Sequence, residues 1–252
     1  MFYSVCVSAV FSKIPPADAL GMVREAGAPA YEIWGWDENT VESLARAQRA
    51  EGLRLAAMCT RMVPLNDPAR REEYIHGLEE SIAAAKRLGC GTLITQVGQA
   101  IDGASREAQH ASIAEGLRAC APLLEAAGVT LVFEPLNVLV DHIGYYLDRS
   151  DEAFEIAREV NSPNVKVLFD VYHQQITEGN LIANIRAGAD LIGHVHIAGV
   201  PGRHEPLDGE ISYPAVLAAL KEAGYRGAVG LEYFPTKDPV EGIRETMKAF
   251  PL

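Results

Sequence analysis

The 252-residue chain has four cysteines, and no two of them share a CxxC spacing. Cys6, Cys59, Cys90 and Cys120 are scattered through apolar stretches. That argues against a disulfide framework or a thiolate metal site, and for buried reduced thiols. No apolar run approaches the roughly 18 residues that a membrane span requires. The opening MFYSVCVSAVF lacks the basic flank of a secretory leader, and Phe2–Val7 within it reads as a first strand, so a mature cytoplasmic protein with no membrane contact is expected. No basic stripe is visible, and a net charge of −12 suits the chain poorly to a phosphate backbone, so no nucleic-acid partner is expected. Neither GxGxxG nor GxxxxGK with a following Ser or Thr succeeds the first apolar run, which leaves an open nucleotide-binding sheet without its usual support.

What the chain does have is an alternation with a period of about 30 residues, the length of a βα unit with its return. Strand-like runs occupy Phe2–Val7, Ala30–Trp34, Arg54–Cys59, Thr92–Val97, Thr130–Glu134, Val165–Asp170, Ile192–Ile197 and Ala228–Tyr233. Between them lie stretches with apolar residues at three- and four-residue spacing, such as TVESLARAQRAEG and REEYIHGLEESIAAAKRLG. Gly27, Gly52, Gly89, Gly128 and Gly224 each follow a helical run and precede a strand, as helix-ending glycines do. Ser150 ahead of Asp151-Glu152, and Asp238 ahead of Pro239, read as N-caps. Eight strands too apolar to have a wet face call for a parallel sheet covered by helices. Eight units favour closure, so the expected fold is a single (β/α)8 TIM barrel domain spanning residues 1–252.

The chemistry gathers at strand ends. Apolar runs five to eight finish in Glu134, Asp170, His196 and Glu232. In a barrel these strands are consecutive, and their carboxyl ends form one arc of the mouth where such folds keep their active sites. Three carboxylates and an imidazole converging without a partner would cost several kcal/mol or more. One divalent cation resolves that conflict, and oxygen-rich ligation with one histidine suits Mn2+, Mg2+ or Co2+. Such a cation can hold adjacent carbonyl and hydroxyl oxygens and stabilise an enediolate. Glu134 and Glu232, on non-neighbouring strands, can then act as acid and base on opposite faces of the substrate. Trp34 and Trp36 end strand two beside Glu32, where aromatic side chains can wall a sugar pocket. Arg61 and Gln96 could supply polar contacts from strands three and four. His194 is expected to point away from His196 and serve structure. His142, His204 and Glu205 are candidate partners for the ligands, and His76 and His110 should face solvent from helices.

Several stretches carry a family resemblance: EPLN at 134–137, GYYL at 144–147, FDVYHQQITEGNL at 169–181, GHVHIAGVPGRHEP at 193–206, GEISYP at 209–214 and GLEY at 230–233. Together they resemble the hydroxypyruvate isomerase family, within the xylose-isomerase-like barrels that also include ketose 3-epimerases. The resemblance implies Glu134, Asp170, His196 and Glu232 as metal ligands and the two glutamates as the acid/base pair. It further implies that His173 contacts a substrate oxygen and that Arg203 anchors the substrate's far end. Many members of the isomerase group carry Gln where His196 stands, whereas the epimerases carry His; the GRHEP loop is of the isomerase type. The expected activity is therefore an aldose–ketose isomerase acting on a small hydroxy-carbonyl compound, with ketose 3-epimerase as the alternative. Many members assemble as dimers or tetramers, which leaves a homo-oligomer open. A barrel endonuclease would want a basic face, and a non-catalytic sugar-binding barrel would keep its ligand after metal removal.

Overall fold

The computed structural model describes residues 1–252. The first half runs β1 (Phe2–Cys6), α1 (Val7–Val10), α2 (Pro16–Ala26), β2 (Ala30–Ile33), α3 (Glu38–Glu51), β3 (Arg54–Cys59), α4 (Arg71–Leu88), β4 (Thr92–Thr95) and α5 (Arg106–Ala127). The second half runs β5 (Thr130–Phe133), α6 (Ser150–Val160), β6 (Val165–Asp170), α7 (Val171–Thr177), α8 (Leu181–Ala187), β7 (Ile192–Ile197), α9 (Tyr213–Glu222), β8 (Ala228–Leu231) and α10 (Pro239–Ala249). All strands are parallel, each pairs with the next, and β8 closes on β1. The expected (β/α)8 barrel is what forms.

The period of two along each strand sorts the side chains. Outward residues such as Leu131, Phe133, Val167, Phe169, Val195 and Ile197 join one large apolar layer beneath the helices. Inward residues Ala57, Cys59, Ile94, Val132 and Leu168 form a separate small plug inside the barrel, with Trp34 against it. One step further toward the mouth on the same inward face stand Gln96, Glu134 and Asp170. Alternation alone thus carries each strand from a dry plug to a polar tip.

Several ends differ from expectation. β5 and β8 stop at Phe133 and Leu231, so Glu134 and Glu232 are the first residues beyond their strands. Both stay tied to the neighbouring strand, through Glu134 N–H to the Thr95 carbonyl and Glu232 N–H to the Ile197 carbonyl, each at 3.2 Å. Gly27, Gly52, Gly89 and Gly128 are left-handed C-caps as read. Asp238 caps α10 through the Glu241 N–H. Ser150 does not cap α6: Arg149 holds that position, and the Ser150 hydroxyl donates to Glu178 instead. No helix is long and apolar enough to cross a membrane.

Candidate active site

The four strand-end residues meet. One ligand atom from each of Glu134, Asp170, His196 and Glu232 lies within 4.8 Å of every other, and all four side chains are buried. His196 Nδ1 is 3.3 Å from Glu232 Oε2 and 3.9 Å from Glu134 Oε1. Neither His196 Nδ1 nor Glu134 Oε1 has a hydrogen-bond partner, although both are buried. Orphaned polar atoms are costly, and these two face a common point among three carboxylates. The donor set fits a hard divalent cation, which would give both atoms a partner.

Behind this quartet lies a carboxylate that supports it. Glu32, inward-facing on β2, accepts from His196 Nε2 at 2.8 Å, from His194 Nε2 at 3.1 Å and from the Ser4 hydroxyl. Burial raises its pKa, but the two histidines outweigh that and hold the carboxyl far below its ordinary range. An ionised carboxylate only accepts, so both imidazoles donate from Nε2. For neutral His196 this leaves the Nδ1 lone pair facing the quartet, the orientation a metal-bound histidine needs. His194 therefore does not point away from His196. Residues two apart in a strand share a face, and both rings reach the same carboxylate.

The glutamates differ in charge. Burial and repulsion from Glu232 push the Glu134 carboxyl well above its usual range. Burial also raises Glu232, but His196 and Arg203 overcome it and hold Glu232 well below. Burial opposes charge on His196, yet Glu232 and Glu32 pull its pKa well above the ordinary value. Without a cation, a proton on His196 thus joins the Arg203 guanidinium as positive charge among the carboxylates.

Around the quartet is a cavity of about 340 Å3 whose walls include Trp34, Gln96, Leu136, His142, His173 and Arg203. Trp34 donates its indole N–H to Glu232 Oε1 at 2.6 Å. Arg203 is the one arginine or lysine lining the cavity. Its guanidinium donates to Glu232, lies 4.0 Å from Asp170 and sits over the Tyr172 ring. The Arg203 backbone is left-handed, with φ of 56°, a conformation that costs a non-glycine residue roughly 1–3 kcal/mol. Two contacts hold it there: its N–H to the Gly199 carbonyl, and its own carbonyl to the Phe234 N–H. His173 is fully buried; burial and the nearby Arg203 charge push its pKa well below the ordinary range, so it is neutral.

The profile of the xylose isomerase-like TIM barrel family matches residues 20–251. A Homo sapiens relative with the provisional name hydroxypyruvate isomerase is 37% identical over 241 residues, covering 88% of this chain and 86% of its own. The chain belongs to the hydroxypyruvate isomerase family of xylose isomerase-like barrels. An Escherichia coli hydroxypyruvate isomerase is 36% identical across 70% of this chain and 68% of its own. A 2-oxo-tetronate isomerase of Cupriavidus necator is 35% identical across 70% and 67%. Among solved structures, a Brucella melitensis protein described as an AP endonuclease of family 2 superposes with a TM-score of 0.90 at 30% identity, covering 98% of this chain and 99% of its own. A Clostridium cellulolyticum D-psicose 3-epimerase shares the fold, with a TM-score of 0.86 at 19% identity and coverage of 99% and 98%.

In this family member, several residues named from the sequence lie off the centre. Arg61 turns outward to stack on Trp36 and pair with Glu80, while Trp36 donates to the Cys59 carbonyl. His204 is exposed and bonds the Phe234 carbonyl. Glu205 is buried and holds the loop after β8 through Thr236. His142 does reach the cavity, its ring edge-on to His173 at 5.2 Å. His76 is exposed, as expected. His110 is not solvent-facing, because it bridges Glu152 at 3.2 Å and Glu159 at 3.1 Å between neighbouring helices. Ser4, Asn137 and Asp141 were not anticipated; Asn137 stands in the quoted EPLN stretch, and Asn is a common turn-builder through bonds to nearby backbone N–H groups.

Proposed function

We propose that this chain is a divalent-metal-dependent isomerase of small hydroxy-oxo acids, of the hydroxypyruvate and tartronate semialdehyde type, working through an enediolate. The observation that carries the reading is the convergence of Glu134, Asp170, His196 and Glu232 within 4.8 Å of one another in a cavity with a single guanidinium on its wall. Glu134, Asp170, His196 and Glu232 would hold the cation. When bound, it would draw together vicinal carbonyl and hydroxyl oxygens and offset the enediolate charge.

The protein's own groups do the rest. One glutamate takes the proton from the hydroxyl-bearing carbon; the C–H electron pair becomes the enediolate double bond, and the carbonyl oxygen takes the charge. A proton returned to the former carbonyl carbon, with loss of the neighbouring hydroxyl proton, moves the carbonyl by one position. In the cation-free cavity the pair is asymmetric, with Glu232 held low by His196 and Arg203 and Glu134 pushed up by burial and by Glu232, the split expected of an acid/base pair. Beside a bound cation Glu134 would move back toward its charged form. A substrate carboxylate would take the place of Glu232 on the Arg203 guanidinium. Both named isomerase relatives act on 2-oxo acids, which agrees with that assignment.

His196 favours one second reading, ketose 3-epimerase of the tagatose or allulose type, with the same metal site and glutamates. Incubation with hydroxypyruvate, 2-oxo-tetronate and free ketohexoses in deuterium oxide separates them. Isomerisation relocates the carbonyl and brings deuterium in, whereas epimerisation brings it in and leaves the carbonyl in place. Turnover that survives exhaustive chelation would rule out both.

A further inference from the structure

Asn137 spends every valence of its side-chain amide. Its Oδ1 accepts from the backbone N–H groups of Val140 at 3.0 Å and Asp141 at 3.2 Å, which fixes which end of the amide is oxygen. Its Nδ2 therefore has two hydrogens to place. One goes to Asp141 Oδ2 at 2.6 Å, the other to His173 Nδ1 at 2.7 Å. The Asn137 backbone N–H points at the same His173 Nδ1, at 3.3 Å. Asp141 Oδ2 in turn accepts the Tyr172 hydroxyl at 2.9 Å, so the carboxylate that steadies Asn137 is itself held.

Two N–H groups aimed at one ring nitrogen leave no room for a proton on it. A neutral imidazole then carries its only proton on Nε2. That atom is buried, has no hydrogen-bond partner, and lies 3.6 Å from Asp170 Oδ2 on a residue that lines the cavity with Glu134 and Glu232. A buried N–H without an acceptor is costly, and a ligand oxygen is the partner the geometry lacks.

We propose that Asn137 is a positioning residue that locks His173 as an Nε2–H donor, so that the substrate atom placed against it must be an acceptor: the carbonyl oxygen that gains charge in the enediolate. The assignment rests on the isomerase reading for its substrate, but the tautomer does not. In this arrangement His173 neither takes nor gives up a proton during turnover. It supplies a fixed hydrogen bond that strengthens as the oxygen charges. Asn137 makes that bond dependable by denying the ring its other tautomer, and it never touches substrate.

Long-range 1H–15N correlation on protein labelled at histidine nitrogen reads the tautomer directly and needs no variant. The expected result for His173 is an unprotonated Nδ1 and a protonated Nε2; a protonated Nδ1 in the wild-type protein overturns the proposal. Asn137→Asp replaces the Nδ2–H donor with an acceptor, so a proton should appear on Nδ1. Its kcat should fall roughly 100-fold, the range of a lost oxyanion donor, while cation affinity changes less than threefold. Placed on His173→Ala, the same substitution should cost less than threefold more, because its effect passes through the ring. Equal losses in both backgrounds would mean that Asn137 merely props the loop, and the proposal would fall. If the wild-type tautomer is as stated but no hydroxy-oxo acid turns over, the isomerase reading fails and the tautomer lock stands.

Discussion

At the scale of single residues, the site is a contest between burial and charge. Burial alone would neutralise every carboxylate in it, yet Glu232 stays ionised because His196 and Arg203 face it, while Glu134 is pushed up. Replacing either glutamate by Gln keeps the shape and removes the carboxyl group proposed to move the proton. Glu134→Gln and Glu232→Gln should each lower kcat by about 10²–10⁴-fold, measured as hydroxypyruvate turnover at saturating metal; near wild-type turnover in either variant would defeat the paired acid/base reading. Glu32 does not line the cavity but directs His196. Glu32→Gln offers a neutral amide whose N–H2 competes with the imidazole N–H groups, so the ring loses the partner that orients Nδ1. Divalent cation affinity should weaken roughly 10–100-fold in a calorimetric titration, and an unchanged affinity would show that His196 is held by other means.

At the scale of elements, the strands matter through where they stop and which way they alternate. The barrel was legible because eight apolar runs and their helix-ending glycines are local signals, each readable in a dozen residues. The quartet was legible because four consecutive runs end in ligand-type side chains. Arg203 and His173 came only from resemblance, since a loop arginine and a helix histidine have no periodicity to place them. Glu32 passed unassigned because its partners, His194 and His196, lie more than 160 residues away, and no spacing rule spans a barrel. The orientation of His194 was misjudged where the alternation of strands, properly applied, would have given the right face. Gly230 shows how tightly neighbouring strands constrain this arrangement. A Cβ there would lie 2.5 Å from His196 Cδ2 and 2.6 Å from Glu32 Oε1, so β8 must present hydrogen where β2 and β7 bring their side chains together. Gly230→Ala should destabilise the protein by roughly 1–3 kcal/mol, as overpacking does, and should weaken cation binding as well. A thermal melt together with a metal titration checks both, and a variant that loses stability but binds the cation normally would detach Gly230 from the Glu32–His196 contact.

At the scale of the whole molecule, the site couples folding to protons, and the proposed cation would couple it to metal as well. In the cation-free protein the pKa values of His196 and Glu134 lie above their ordinary values. Between the unfolded and folded values of each group the native state binds more protons than the unfolded chain, so stability falls as pH rises through that window. The window for His196 opens near the ordinary histidine value of about 6.5, and Glu134 contributes with the same sign from a lower starting point. Glu232 has the opposite sign, but its lowered pKa confines that effect to acid below the ordinary carboxylate range. A cation needs these ligands deprotonated, so it competes with the same protons and binds more tightly as pH rises. The two trends are one linkage: raising pH above the ordinary histidine value weakens the chelated protein and leaves the metal-loaded one, whose ligands hold no protons, nearly unchanged. At a free cation concentration 100 times Kd the added stability is about 2.7 kcal/mol. For a chain of this length that should raise the melting temperature by roughly 5–10 °C. The difference in melting temperature between metal-loaded and chelated protein should therefore widen from pH 6 to pH 8 and shrink below pH 6, and calorimetric titration in buffers of different ionisation enthalpy should show protons released on binding. A gap that stays flat across that range, or a melt indifferent to chelator, would mean that the four converging side chains hold protons and no cation.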